Sequence, residues 1–476
     1  MTGAVMANNK TQVAVLGGGP GGYGAAFRAA DLGLEVALID PAVNPGGVCL
    51  YRGCIPSKAL LHVSKLISEA REASEWGITF KEPEIDLEQL RSWKESVVDK
   101  LTGGLGQISG RRNITYIQGR GELVDNRNLQ ISTENGTDNL EFEHAILAAG
   151  SQPFILPDLA LDSERVMDST DALELPDIPE KLLVIGGGYI GLELGQVYYT
   201  LGSEVSVVEM MPNLLPGADQ DLVRILTKQI QSQFRDVMLE SKVVELKEQK
   251  NGIKVTIEEK GGEQFNKIYD KVLVSIGRKP VTEGLGLENT HIRTNENGFI
   301  QVNLQRQTTE PSIYAVGDIA GEPMLAHKAT HEGIVAAETI AGEKVAFEPY
   351  AIPAVVFTDP EVAWCGLTET RAKEEDIEYE VAKFPWGASG RATTIGRNDG
   401  VTKLVIDPES DRVLGVGIVG VDAGELIAEG VLAIEMAATA EDLALTIHQH
   451  PTLSETIMEA AEVYYGQAID LYRPKK

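Results

Sequence analysis

Cysteine is nearly absent, with three residues in 476. A secreted fold stapled by disulfides needs more, so that class is excluded. Basic residues are scarce as well. Lys and Arg total 42 against 71 Asp and Glu, a formal net charge of −29. A surface that acidic does not suit nucleic acid or an anionic membrane, where Lys and Arg must neutralise phosphates. It leaves room for a basic protein partner, and a solvated acidic surface with no partner reads equally well. No apolar run approaches the ~20 residues of a membrane span. The most apolar late stretch, 426–438, is broken by Glu429 and Glu435. The opening MTGAVMANNKTQ is too short and too polar for a secretory signal and has no arginine for a transit peptide. The expectation is a soluble, cytoplasmic chain; a plastid origin with the transit segment already removed stays open.

What is present is length and glycine. At ~150 residues per domain the chain has room for about three domains, and its 43% hydrophobic and 24% charged residues are ordinary globular usage. Glycine, 49 residues, is over-represented. Part of that excess lies in an internal repeat. Residues 13–40, VAVLGGGPGGYGAAFRAADLGLEVALID, align with 182–209, LLVIGGGYIGLELGQVYYTLGSEVSVVE, at a constant offset of 169. Gly17, Gly19 and Gly22 fall on Gly186, Gly188 and Gly191. Each copy opens with a short apolar, β-branched run, turns on glycines, enters a helical segment stopped by glycine, and ends in a second apolar strand.

In such a unit the first glycine permits the tight turn, the second lets backbone N–H groups approach a pyrophosphate, and the third lets helix pack on strand. The helix N-terminus adds partial positive charge. Asp40 and Glu209, each 18 residues beyond the last glycine, are placed to accept from a ribose 2′-OH. One glycine turn would be weak evidence; two complete copies predict two bound dinucleotides. Glu209 is followed by Met210 and Met211 rather than by arginines. Its charge would repel a 2′-phosphate, so the second site is expected to prefer NAD over NADP.

Cys49 and Cys54 lie in GGVCLYRGCIPSKALL. Buried thiols are one reading. Half a zinc site is a poorer one, since the only other cysteine is Cys365, itself read as a buried thiol, and no histidine has ligand spacing around Cys49. A bridge between them would need the chain to coil, because five residues of strand span ~17 Å against the ~7 Å a disulfide tolerates. Gly53 is placed to allow it. So small a loop stabilises little, and a bridge there makes more sense as a redox centre. Pro56 suits the first turn of a helix continued by SKALLHVSKLISEA. Cys54 then sits at a helix N-terminus, where a thiol pKa is depressed. Lys58, at i+4, falls on roughly the same face, with a solvated surface lysine as its plain alternative.

The cysteine pair after a first dinucleotide turn resembles the pyridine nucleotide–disulfide oxidoreductase family. The cysteine stretch is similar to that of members that oxidise dihydrolipoamide. Other landmarks follow in order over nearly the whole chain: Ala148-Ala149-Gly150, GRKP from Gly277, IYAVGD over 313–318, MLAHKA from Met324 and HQHPTLSE from His448. Two departures are Tyr51-Arg52 between the cysteines, where relatives often carry Asn or Val, and the alanine in Ala148-Ala149-Gly150 where Thr is common. Neither disturbs the resemblance.

The resemblance implies an α/β chain of two Rossmann-like dinucleotide-binding domains plus an α+β C-terminal dimerisation domain. The order is FAD-binding over 10–150, NAD-binding over 151–280, a return to FAD-binding over 281–349, and an interface domain over 350–476. FAD would be held by Gly17, Gly19, Gly22, Asp40, Lys58, Gly121, Ser151, Asp318, Met324, Leu325, Ala326 and His327. NAD would be held by Gly186, Gly188, Tyr189, Gly191, Glu193, Glu209, Val243 and Gly277. Glu193 would pair with Lys58, or is an ordinary acid near a helix start. Tyr189 would cover the nicotinamide pocket, or is a packing residue. His450 and Glu455 match the base dyad that reaches the disulfide of the other subunit. From the residues alone His448 competes with His450, and Glu455 reads as N3 of a capping box opened by Thr452.

The implied activity is oxidation of protein-bound dihydrolipoamide to lipoamide at Cys49 and Cys54, with His450 as base and NAD+ reduced to NADH. Implied partners are a second copy of the chain, the lipoyl-bearing acyltransferase subunits of 2-oxo acid dehydrogenase complexes, and the glycine cleavage lipoyl protein. The rival is a disulfide reductase of the glutathione reductase type, which should carry basic residues after Glu209. A mercuric reductase should end in a cysteine pair, and the terminal LYRPKK has none. A flavin-bound structural subunit would have no use for Cys49, Cys54 and His450 together.

Overall fold

The computed structural model describes residues 9–154 and 156–471. Residues 1–8, read above for targeting signals, and 472–476, most of the terminal LYRPKK, lie outside the described residues. Strands and helices alternate, and the chain forms two compact units.

The first unit comprises Met1–Ala59, Asp86–Phe154 and Gly277–Glu348. The strand Lys10–Leu16 lies at the centre of its sheet, parallel to Val36–Asp40 on one side and to Gly136–Leu147 on the other. Thr115–Gln118 and Ile313–Ala315 extend the parallel ladder outward. Alternate side chains of a strand point to opposite faces, and here both faces are covered. Val13, Val15, Leu38 and Ile146 pack with Ala25, Ala26 and Ala29 of the helix Pro20–Asp31. Ala14, Leu16, Ile39 and Leu147 build the opposite core with Leu123, Leu129 and Ile131. Burial on both faces is why these strands read as unbroken apolar runs. The helix Pro20–Asp31 meets the helix Ala326–Ile340 almost backbone to backbone: a Cβ on Gly333 would lie 2.3 Å from Gly21 O.

The second unit comprises Leu60–Ile85, Ile155–Ile276 and Pro349–Lys476. Its parallel sheet runs in the order Asp236–Met238, Glu204–Val208, Lys181–Ile185, Lys271–Val274, Val166–Met167. The register repeats that of the first sheet, with Leu182 opposite Val205 as Val13 is opposite Val36. A three-stranded antiparallel layer, 241–269, covers one face through Ile253, Val255 and Ile257. The C-terminal part is an antiparallel five-stranded sheet, in which Val413–Gly420 lies between Glu361–Gly366 and Val401–Ile406. Helices Ala423–Glu435 and Glu455–Tyr465 bury Ile427 and Ile457 against it around Trp386 and Ile418. The α/β expectation with an α+β C-terminal part holds, and that part falls in the same compact unit as 155–276.

Candidate active site

The two glycine turns fold alike. Gly17 has φ +106° and Gly186 φ +108°, and a Cβ on either would stand 2.3 Å from Ala148 O or 2.4 Å from Ser275 O. Only glycine fits. Gly19 and Gly188 cap the helices Pro20–Asp31 and Tyr189–Leu201 without a side-chain acceptor, which leaves first-turn N–H groups for an anion. The acids are fixed at the same places. Gly18 N–H donates to Asp40 Oδ2 (2.6 Å) and Ala42 N–H to Oδ1 (2.8 Å). Gly187 N–H donates to Glu209 Oε2 (2.6 Å) and Met211 N–H to Oε1 (2.7 Å). Each carboxylate therefore braces its own turn, and its remaining lone pairs can still accept from a ribose hydroxyl. Gly46 N–H donates to Gly18 O (2.7 Å) and Leu215 N–H to Gly187 O (3.0 Å), again 169 residues apart. The repeat thus continues past the point where side chains match.

Beyond Gly46 the copies diverge, and the first enters the cysteines. Gly47, at φ +58°, would push a Cβ to 2.4 Å from Gly19 Cα, so the cysteine segment starts on the phosphate turn itself. Cys49 lies in the short helix Gly47–Arg52, and Cys54 is the first residue of the helix Cys54–Glu72. Gly53 joins them, with room for no Cβ: it would lie 2.9 Å from Val48 O. The chain coils here as a bridge requires. The hydrogen bond with Cys54, then burial, pushes the Cys49 thiol far above its ordinary value, while the Lys58 ammonium pulls it back. Cys49 is therefore the sulfur whose proton is held more firmly, and Cys54 stands at a helix N-terminus, the position that favours a thiolate. Tyr51, one of the departures, donates its hydroxyl to Asn44 O (3.0 Å) and serves the local loop.

Of the first unit's other candidate contacts, Ser151 and Asp318 meet at the loop before Gly321. Ser151 Oγ donates to Asp318 Oδ2 (2.5 Å) and accepts from Arg278 Nε (2.7 Å). Gly317 N–H donates to Glu332 Oε2 (2.7 Å), and that buried carboxylate pairs with Arg306 (2.6 Å) and Lys328 (3.0 Å). Met324 and Leu325, the latter the cap, lead into the helix Ala326–Ile340, which Ala326 and His327 open. Gly121 sits on the strand Arg120–Leu123, its Cβ position 3.3 Å from the Leu16 side chain. In the second unit Tyr189 opens its helix and is 41% exposed. Glu193 is buried in the next turn, where its Oε1 accepts from Phe357 N–H (2.9 Å). Val243 is half-buried on Ser241–Gln249. Gly277, expected with the second nucleotide, opens the last segment of the first unit, and its carbonyl accepts from Phe154 N–H (3.0 Å).

His450 Nδ1 lies 2.9 Å from Glu455 Oε1. A carboxylate accepts, so Nδ1 bears the hydrogen and Nε2 keeps the lone pair a base needs. Thr452 N–H donates to Glu455 Oε2 (2.7 Å), one half of the expected capping box. The other half is absent, and the placement needs correction. The helix begins at Glu455, with Ser454 at its cap, so Glu455 is the first helical residue and not the third. Thr452 Oγ1 donates instead to Gln449 O (2.8 Å). Cys365 is buried, and burial raises its thiol to about 12, as expected of an inert core cysteine.

Residues 11–333 match the pyridine nucleotide-disulphide oxidoreductase family, and 352–461 match that family's dimerisation domain. The chain belongs to this family. Among its relatives, a "dihydrolipoyl dehydrogenase" of Vibrio parahaemolyticus is 51% identical over 466 residues, 98% of each chain. One of Haemophilus influenzae is 51% identical over 98% of this chain and 97% of its own. In three dimensions LpdA from Mycobacterium tuberculosis superposes with a TM-score of 0.88 at 28% identity, over 95% of this chain and 99% of its own. The flavoprotein disulfide reductase RclA from Escherichia coli gives 0.83 at 27% identity, over 94% and 98%.

This pyridine nucleotide-disulphide oxidoreductase is a flavin-dependent, NAD-linked enzyme, as its family is. The residues present fit both groups. Each turn offers uncapped helix N–H groups and a fixed carboxylate, and the Cβ position of Gly188 opens on space where an anion can stand. Sequence reasoning missed Arg278, Glu332 and Arg306, whose pairings join segments distant in the chain and leave no local pattern. It also missed Tyr23, whose phenol is raised by burial and by the nearby Cys49 and Cys54. Among the described residues no helix is long and apolar enough to cross a membrane.

Proposed function

We propose that this chain oxidises dihydrolipoamide, carried on a lipoyl protein, to lipoamide and reduces NAD+ to NADH. The observation that carries the reading is the placement of the cysteines, Cys49 in a short helix with its thiol raised by its hydrogen bond with Cys54 and by burial, and Cys54 at the start of the next helix. A dithiol oxidase needs two sulfurs so distinguished: one exchanges with substrate, the other holds the electron pair. The relatives named dihydrolipoyl dehydrogenase support the substrate. Glu209, with Met210 and Met211 after it, supports NAD.

In the reaction, His450 Nε2 takes a proton from one substrate thiol. The resulting thiolate attacks Cys49 in the Cys49–Cys54 bridge and displaces Cys54 as thiolate. The second substrate thiol, deprotonated in turn, attacks the mixed disulfide at the substrate sulfur. Lipoamide closes and Cys49 leaves, taking up a proton. Glu455 holds the imidazole in the tautomer this needs and balances its charge. Lys58 stabilises the anionic dithiol. FAD, held by the first glycine turn and Asp40, would supply the acceptor for the dithiol's electron pair and the hydride donor for NAD+. The site residues follow the turns: Gly17, Gly19, Gly22 and Asp40 with Ser151 and Asp318 for FAD, and Gly186, Gly188, Gly191 and Glu209 with Tyr189 for NAD. The domain order is FAD-binding, NAD-binding, FAD-binding and interface.

The working form is a homodimer in which His450 serves the partner's cysteines. Its support is the dimerisation domain and the exposed Leu432, Met436, Leu445 and Ile447 on the elements around the base loop. Lipoyl-bearing acyltransferase subunits in the cytoplasm are the expected partners, with a basic module docking on the acidic surface; docking indifferent to salt would count against that. The deciding experiment is the anaerobic visible spectrum of the purified flavoprotein with dihydrolipoamide and no NAD+. A long-wavelength thiolate–flavin band, discharged with NADH formation when NAD+ is added, is expected. No change, together with reduction by NADPH and reoxidation by glutathione disulfide, would replace this reading with the rival reductase.

A further inference from the structure

Two histidines stand either side of Gln449, and their surroundings differ. The side chain of His450 is 76% exposed and, among the described residues, is bonded at Nδ1 alone, to Glu455. That of His448 is 6% exposed, and both its ring nitrogens are engaged. Nδ1 lies 2.8 Å from Thr446 O, and Nε2 lies 2.7 Å from Glu429 Oε1 on the helix Ala423–Glu435. A carbonyl oxygen can only accept, so Nδ1 must carry hydrogen. The bond to Glu429 needs a second proton, on the ring or on the carboxyl. Either way no lone pair of His448 remains to serve as a base. The competition between the two histidines is thereby resolved on hydrogen-bond inventory.

We propose that His448, with Glu429, is a positioning pair for the base loop. The loop 446–454 joins the helices Ala440–Leu445 and Glu455–Tyr465. Glu455 fixes the far end of the loop through His450 Nδ1 and Thr452 N–H. His448 fixes the near end to a third element, two residues before the base. A ring held at both nitrogens restrains translation and rotation of that backbone. His450 Nε2 is then presented at a defined place, instead of sweeping with an exposed loop. This inference rests on the proposed role of His450 as base.

The test uses the full flavoprotein dimer with its two half-reactions followed separately by stopped flow. His448→Ala is expected to slow reduction of the enzyme by dihydrolipoamide about 10- to 100-fold, the cost of misplacing a catalytic group by ~1 Å. NADH-driven flavin reduction and the KM for NAD+ should stay unchanged. Glu429→Ala should lose as much, and the double variant no more than either single one. His448→Gln, whose amide N–H can still reach Glu429, and Glu429→Gln, which keeps the acceptor, should restore most of the rate. Should His448→Ala fail to fold, Glu429→Ala and the two glutamine variants carry the same comparison. Equal losses in both half-reactions, tracking a fall in Tm, would mark a general structural role and overturn the inference. His450→Ala is run alongside. If it abolishes the dithiol half-reaction while His448→Ala and Glu429→Ala do not slow it, the positioning role fails and the base assignment stands. If His450→Ala itself keeps the wild-type rate, the base assignment fails, and this inference with it.

Discussion

The two glycine turns agree in φ, in register, in the N–H groups that bind Asp40 and Glu209, and in the backbone bond from Gly46 or Leu215. They differ in what is built against them. The first is closed over: Gly47 presses on Gly19, and the helix Ala326–Ile340 packs on the glycines of Pro20–Asp31. The second stays open, with space at Gly188 and an exposed Tyr189. One seat suits a group held through every turnover, the other a group that must come and go. The seat is generic; the chain that follows Gly46 or Leu215 decides its use. After Gly46 come the cysteines. After Leu215 comes Asp219, tied with Asp221 and Glu369 to the buried Lys403 ammonium.

The sharpest way to break the comparison is to remove chemistry from the first copy alone. Cys54→Ser should lower dihydrolipoamide oxidation by about a thousandfold or more, as loss of a covalent group does. Flavin should stay bound, and NADH should still reduce it. Full dithiol activity in this variant would sink the mechanism. Next in size are the paired glycine substitutions. Gly17→Ala and Gly186→Ala each place a Cβ inside a carbonyl contact at positive φ, a cost of about 3 kcal/mol or more locally. Gly17→Ala should yield protein without flavin absorbance, whereas Gly186→Ala should keep the flavin and lose NAD+ binding. The same phenotype from both would mean that the seats are not separately occupied. Smaller again is Glu209→Ala, expected to shift the NADP+ to NAD+ ratio of kcat/KM about tenfold, or ~1.4 kcal/mol, by removing repulsion of a 2′-phosphate. Asp40→Ala should leave that ratio alone.

What could be read from the chain follows from what each feature is made of. The glycine turns and their acids were legible because residue type is dictated there: a Cβ at Gly17 or Gly22 has nowhere to go, and the acid must accept. Cys54 at a helix start was legible from Pro56 and the apolar spacing after it. The Gly46 and Leu215 bonds were not, because a backbone N–H donates whatever its side chain is. The Ser151–Arg278–Asp318 network joins segments up to 167 residues apart and the Arg306–Glu332 pair 26, so no short window contains them, although Lys328–Glu332 is an ordinary i,i+4 pair. His448 and His450 sit in one short motif and could not be ranked until their acceptors were located. The capping pattern at Thr452 misled by two residues, since the Thr452 hydroxyl is spent on Gln449 O and the helix starts only after Ser454.

The smallest expected effect concerns the anchor that replaces the cysteines in the second copy. Burial pushes the Asp221 carboxyl up, but hydrogen bonds from Lys383 and Lys403 outweigh it and bring it down to about 2. Its unfolded value is near 3.8. A group whose folded pKa is depressed stabilises fully above its unfolded pKa and loses that contribution as pH falls through its folded one. The anchor should therefore hold at full strength above about pH 4 and fade towards pH 2. Asp221→Asn keeps an acceptor but not the charge, and should cost about 1 kcal/mol near neutrality once partial solvent screening is allowed for. The readout is local: hydrogen exchange of the helix Gln220–Gln233, parent against variant at each pH. The two should differ at pH 6 and converge as the pH approaches 2, while the helix Pro20–Asp31 responds to neither change. A gap that persists undiminished at low pH would assign the stabilisation to packing around the Lys403 stem, which the first copy has no need of because its own continuation is clamped to Gly19.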